Sequence, residues 1–130
     1  MKVQITEILH DEILNSYQVS FSTPFGTGYG KWRGEPPEMY QHYDVEIEAG
    51  PVLVWGKNIG ITEDEDFLLD DYGNELTIQG KLEAVEPNGI VYVRLGSSMI
   101  SLETEGDPPA PDVFVKANPD LMMLYPRVSA

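Results

Sequence analysis

The chain contains no cysteine. Disulfides, thiolate metal centres and cysteine nucleophiles are therefore excluded, and the composition suits a reducing compartment. Histidine is scarce: only His10 and His42 are present, and neither stands in an H-E-x-x-H or related ligand spacing. Positive charge is scarce too. Eight Lys and Arg face 22 Asp and Glu, for a net charge of −14. A field of that sign repels nucleic acid and anionic membranes, and attracts cations and basic protein surfaces. No apolar run approaches the roughly 18 residues that span a bilayer as a helix. The opening stretch, MKVQITEILHDEIL, carries acids and lacks the apolar run of a signal peptide. The expectation is a cytoplasmic protein that binds neither membrane nor nucleic acid.

What is present is a strong period-two pattern, the mark of half-buried strands. In YDVEIE, Tyr43, Val45 and Ile47 alternate with Asp44, Glu46 and Glu48. In YQVSFS, Tyr17, Val19 and Phe21 alternate with Gln18, Ser20 and Ser22. ELTIQGKLEA, IVYVRLG, MISLETE, DVFVKA and LMMLYP continue the pattern. EPNG (86–89) reads as a tight turn, GDPPAPD (106–112) as a rigid polar connection, and Ala49-Gly50-Pro51 as a strand break. The expected architecture is mostly β: a single antiparallel barrel or sandwich, OB-like, filling one domain over 1–130, with eight or nine short strands. One short helix is expected near 62–72. Thr62 and Glu65 have capping-box spacing, Glu63–Glu65 would meet the positive end of the helix dipole, and Gly73 could terminate it. Asp70 and Asp71 would sit at its unfavourable end.

FGTGYGKWRGEPP (25–37) invites comparison with phosphate loops. It fails both glycine motifs. A Walker loop needs Ser or Thr after Gly-Lys, and Trp32 stands there. In the dinucleotide pattern, Lys31 or Arg33 occupies the last glycine position. Pro36 and Pro37 follow, so no helix N-terminus is at hand to supply donors. The better reading is structural: glycines at 26, 28 and 30 leave one strand face bare, which permits sharp coiling or close approach by another strand or a ring.

The chemistry-bearing candidates are few. Between Arg33 and Lys57 there are five acids and no base; between Lys57 and Lys81 there are seven acids and no base. Glu63, Asp64, Glu65, Asp66, Asp70 and Asp71 form the densest part of this block. They do not match an EF-hand loop, because Leu68 and Tyr72 fall at ligand positions and Gln79 at the twelfth. No metal site and no cofactor is expected. No nucleophile elbow is present, so no catalytic residue is assigned and the chain is not read as an enzyme. Tyr29, Trp32 and Tyr40 flank a proline-rich loop and are candidate exposed anchors, whereas Tyr43 and Trp55 continue apolar strand faces and are assigned to the core.

The C-terminal half resembles a small OB-like barrel, in particular the accessory barrel at the end of some bacterial transporter ATPase subunits. The residues that carry the likeness are Gly80-Lys81-Leu82, the hairpin at Pro87-Asn88-Gly89, the strand Val91–Leu95, the proline-rich connection and Leu124-Tyr125-Pro126. Pro111-Asp112 stands where the Gly-Asp of that pattern is expected. The resemblance implies a barrel and transfers no binding residue.

The functional expectation is a non-enzymatic acidic module that binds a basic protein, of immunity or inhibitor type. The alternative is a small-ligand or oligosaccharide-binding barrel using Tyr29, Trp32 and Tyr40. LMMLYP is either a core strand or the seam of a homodimer.

Overall fold

The computed structural model describes residues 1–127. It holds eleven strands: β1 (Lys2–Asp11), β2 (Ser16–Thr23), β3 (Gly26–Trp32), β4 (His42–Val54), β5 (Ile59–Ile61), β6 (Leu68–Asp70), β7 (Thr77–Val85), β8 (Ile90–Leu95), β9 (Ser98–Glu105), β10 (Phe114–Ala117) and β11 (Leu121–Pro126). All belong to one sheet in the order β1-β2-β3-β11-β4-β9-β8-β7-β10-β5, with β6 bridging β3 and β7. The alternation in sequence becomes alternation in burial. In β4, Val45, Ile47 and Ala49 are buried while Asp44, Glu46 and Glu48 are exposed. Val19 and Phe21, Val91, Val93 and Leu95, and Ile100 and Leu102 join them in one core.

The sheet is mixed rather than antiparallel. β11 runs parallel to β3, β9 runs parallel to β4, and β6 makes one parallel pair with β3. Tight turns force antiparallel pairing only on neighbours in sequence. Strands that meet after long excursions are free of that constraint, and residue alternation does not encode their direction. Nor is the sheet a regular barrel. β1 pairs back on β4 over Lys2–Gln4, so five strands (β1, β2, β3, β11, β4) close on themselves, while β5 to β10 extend the sheet outside that ring.

The expected helix at 62–72 does not form. Thr62 Oγ1 accepts the Asp64 N–H at 3.2 Å, the bond of an N-cap, but here it closes a local turn. Leu68–Asp70 then pairs with Thr77–Gln79, and Phe67 packs edge-on to Phe25 and against Phe114. A two-turn helix is marginal alone, and strand pairing plus this aromatic cluster outweighs it. The nearest helical feature is a 3-10 turn at Tyr72–Asn74. Ala49-Gly50-Pro51 does not break its strand either; β4 runs through it with a shift of register against β9 between Ala49 and Leu53.

The bare glycine face is filled by β11. A Cβ on Gly30 would stand 2.5 Å from the Met122 carbonyl oxygen and 2.7 Å from Leu124 Cδ1. One on Gly28 would stand 3.0 Å from the Phe21 ring and from Met122 Cε. β11 therefore lies against β3 only because these side chains are missing. LMMLYP is a core strand, held between β3 and β4, with Met122 and Leu124 fully buried.

Candidate functional site

The outer face of β1–β2–β3 carries a groove of about 480 Å³. Period two places Gln18 and Ser20 of β2 and Tyr29 of β3 on this face, opposite the core-facing Val19, Gly28 and Gly30. β1 adds Glu7, in register with Ser20, and Leu9, in register with Gln18. The far wall is the turn at 70–74, laid across β3 by two bonds. Thr27 Oγ1 donates to Asp71 Oδ1 at 2.8 Å, and Tyr29 Oη donates to the Asn74 carbonyl at 2.8 Å. Asp70 Oδ2 accepts the Tyr72 N–H at 3.3 Å and stiffens the turn. Tyr72 itself is 86% exposed at its tip.

The structure thus brings Tyr29 and Asp71 together, with Asp70 beside them. It does not assemble Tyr29, Trp32 and Tyr40 into one surface. Trp32 is 4% exposed; it faces inward with Gly28 and Gly30, packs edge-on to Tyr43 at 5.0 Å, and donates its indole N–H to the Glu35 carbonyl at 2.6 Å. Its strand parity, set by the glycines, makes it a core residue despite the loop that follows. Tyr40 is exposed, with its N–H donated to the Ile5 carbonyl on the other side of β1. That position is three strand spacings from Tyr29, about 14 Å along the sheet. Tyr43 is half-buried against Trp32, and Trp55 donates its indole N–H to Thr104 Oγ1 at 3.0 Å; both pack on the core.

Glu63, Asp64, Glu65 and Asp66 lie on the segment that crosses from β5 to β6, and all four are exposed. The crossing passes over β10 and β7, again about 14 Å at strand spacing. Gln79, buried at 4% exposure, anchors it by donating Nε2–H to the Asp66 carbonyl at 2.9 Å. The side-chain ion pairs among the described residues use Asp44, Glu46, Glu83 and Asp112. None uses an acid between 63 and 75. Exposed apolar residues bracket the acids: Ile61 at 63% and Tyr72 at 86%.

Away from these surfaces, Lys81 holds the Asp112 carboxyl below the usual range through a hydrogen bond and then its charge. Glu86 accepts the Tyr92 hydroxyl at 2.9 Å and holds that phenol above its ordinary pKa. Among the described residues no three His, Cys, Asp or Glu side chains are grouped to hold a metal ion, and no helix is long and apolar enough to cross a membrane.

Sequence reading missed Glu7 and Leu9 as groove residues because of a bulge at Thr6. Strict alternation from Val3 and Ile5 would turn both inward; the extra residue reverses the phase, so Ile8 turns in and Leu9 is 58% exposed. Ile61 and Tyr72 were legible only as apolar letters beside acids. No protein-family model, no curated protein and no solved structure matches the chain.

Proposed function

We propose that the chain is a non-enzymatic binding module that engages a basic protein through its acidic face, in the manner of an immunity or inhibitor protein. One observation carries this reading: four consecutive exposed carboxylates, Glu63–Asp66, make no ion pair among the described residues and are bracketed by exposed Ile61 and Tyr72. Buried aromatic and aliphatic anchors supply contact energy, while charge supplies steering and choice of partner. Asp70 and Asp71 extend the acidic strip towards the groove. The test is retention of a basic protein on the immobilised chain at low salt, with release near roughly 0.5 M salt, where screening shortens charge interactions to a few ångströms. The quadruple variant E63Q/D64N/E65Q/D66N and the single variant Tyr72→Ala should each weaken retention. A partner held equally by wild type and the quadruple variant overturns the reading.

The finer architecture proposed is OB-like, built on the five-strand ring rather than on the C-terminal half. Its support is the ring order β1-β2-β3-β11-β4 with one parallel pair, β3 and β11, and the placing of β5–β10 as an insertion before the last ring strand. OB-type barrels bind ligands on the face of their second and third strands. The small-ligand or oligosaccharide reading keeps a foothold there, through Tyr29 alone. It predicts sugar-dependent amide shifts at Ser20 and Tyr29, and fails if a panel of oligosaccharides gives none.

A further inference from the structure

The β1–β2 hairpin carries a second surface, separate from the acidic crossing. β1 has neighbours on both sides only at its start. β4 pairs with Lys2–Gln4, and Ile5 exchanges backbone bonds with Gln41 and Tyr40 at 3.0 and 2.8 Å. From Glu7 to Asp11 its only strand partner among the described residues is β2. Half of the main-chain donors and acceptors of that stretch therefore face outward from an open sheet edge. Past the bulge the edge carries no proline and no Lys or Arg; its charges are the acids Glu7 and Asp11, which disfavour a second acidic edge and leave the edge open to a basic strand.

The edge is also ordered. Asp11 Oδ1 accepts the N–H groups of Ile13 and Leu14 at 3.0 and 3.1 Å, fixing the turn. The His10 and Tyr17 rings stack at 4.4 Å across the pair. Such an edge is pre-organised, so an added strand meets a template that is already formed. Its side chains specify what that strand must carry. Glu7, Leu9 and Asp11 share one face at period two, since they pair with Ser20, Gln18 and Ser16. The pattern is acid, apolar, acid. Among the described residues no ion pair engages Glu7 or Asp11, and Lys31, a cation on that face, sits on β3, in register with Gln18 and two strands from β1. Cross-strand pairs favour opposite charges and apolar against apolar.

We infer that the open edge of β1 over Glu7–Asp11 docks an extended segment of a basic polypeptide by strand addition, with Lys or Arg, an apolar residue, and Lys or Arg again at alternate positions on one face. This rests on the reading of the chain as a partner-binding module and adds the main-chain site and the segment it takes. Strand addition draws affinity from backbone bonds and specificity from alternate side chains.

The test uses the full chain, isotope-labelled, with the blocked peptide Lys-Thr-Val-Thr-Lys-Thr-Val-Thr-Lys at low salt. The expected result is amide shifts and slowed hydrogen exchange centred on Ile8–Asp11. Methylating the peptide's amide nitrogens that face β1 keeps its charge and removes its donors to the edge; it should weaken binding about tenfold or more. Glu7→Lys should weaken it likewise, with Leu9→Ser as a milder variant that keeps the charge. Equal binding of the methylated peptide overturns the proposal, because charge alone would then suffice. Shifts at Glu63–Tyr72 in place of β1 also overturn it, while leaving the acidic-face reading intact. No shift at either surface overturns the edge proposal and leaves the acidic-face reading to the retention test above. Sedimentation that shows a dimer which the peptide cannot enter assigns the edge to a second copy and overturns the peptide.

Discussion

Gly30→Ala isolates the device on which the fold turns. The added methyl would stand 2.5 Å from the Met122 carbonyl oxygen, 3.0 Å from its carbonyl carbon and 2.7 Å from Leu124 Cδ1. Leu124 could shift its side chain, but the Met122 backbone cannot retreat cheaply. β11 is tied on its far side to β4 by six register pairs, from Leu121–Gly50 to Pro126–Val45. Overpacking a well-ordered core costs about 1–3 kcal/mol, and a fixed backbone puts this site at the upper end. Reduced freedom of the unfolded chain returns about 0.4–1 kcal/mol. The net expectation is a loss of about 2 kcal/mol, or a fall in Tm of about 6–10 °C for a chain of this size. Gly60→Ala is the control: its added methyl meets nothing within 4 Å, and its φ is not positive. It should be neutral or slightly stabilising. The assay is urea unfolding followed by the fluorescence of Trp32 and Trp55. If Gly30→Ala is as mild as Gly60→Ala, β11 is not held against β3 by the missing side chain, and the reasoning fails.

Two further expectations follow from single contacts. Trp32→Ala removes a 4%-exposed indole, its edge-on contact with Tyr43 and its bond to the Glu35 carbonyl; it should cost about 3–5 kcal/mol in urea unfolding, and a loss below about 1 kcal/mol, the scale of surface changes, would return Trp32 to the surface. Glu86→Gln should lower the titration of Tyr92, read as phenolate absorbance, because the Glu86 carboxylate raises that phenol first by its hydrogen bond and then by charge. A pKa raised by folding stabilises below the ordinary phenol value of about 10, and the contribution is lost as pH rises through the folded value; an unchanged titration would refute the contact.

The legible parts of the fold are those fixed by neighbours in sequence. The period-two faces of β2, β4, β8 and β9, the turn at Glu86–Gly89 and the polar connection at 106–112 are all local, and the structure has them. What sequence could not supply is set by strands that meet from far apart. Thr62 makes its short-range bond in either a helix or a turn, so its signal is the same for both outcomes. Only the pairing of Leu68–Asp70 with β7 decides between them. Trp32 failed as a surface candidate for a related reason. The proline-rich loop after it reads as exposed, yet its phase is fixed by Gly28 and Gly30, which face β11. The bulge at Thr6 adds one unpaired residue that no composition rule marks, and that single step moves Leu9 from core to surface.

The two candidate surfaces depend on the same closure. The acidic crossing and the 70–74 turn both belong to the long excursion between β4 and β11. That excursion touches the ring at β3 through Gly26–Leu69, Thr27–Asp71 and Tyr29–Asn74. These contacts fall on strand β3, whose inner glycines receive β11. The groove wall therefore rests on a strand that β11 supports from within. The β1 edge does not share this dependence, since β1 and β2 are joined by a short turn and paired through seven register positions. Loosening β11 should accordingly dissolve the groove wall first and leave the hairpin template standing. Local opening measured by hydrogen exchange should separate them, with Asn74 exchanging at lower free energy than Leu9 or Gln18 in Gly30→Ala.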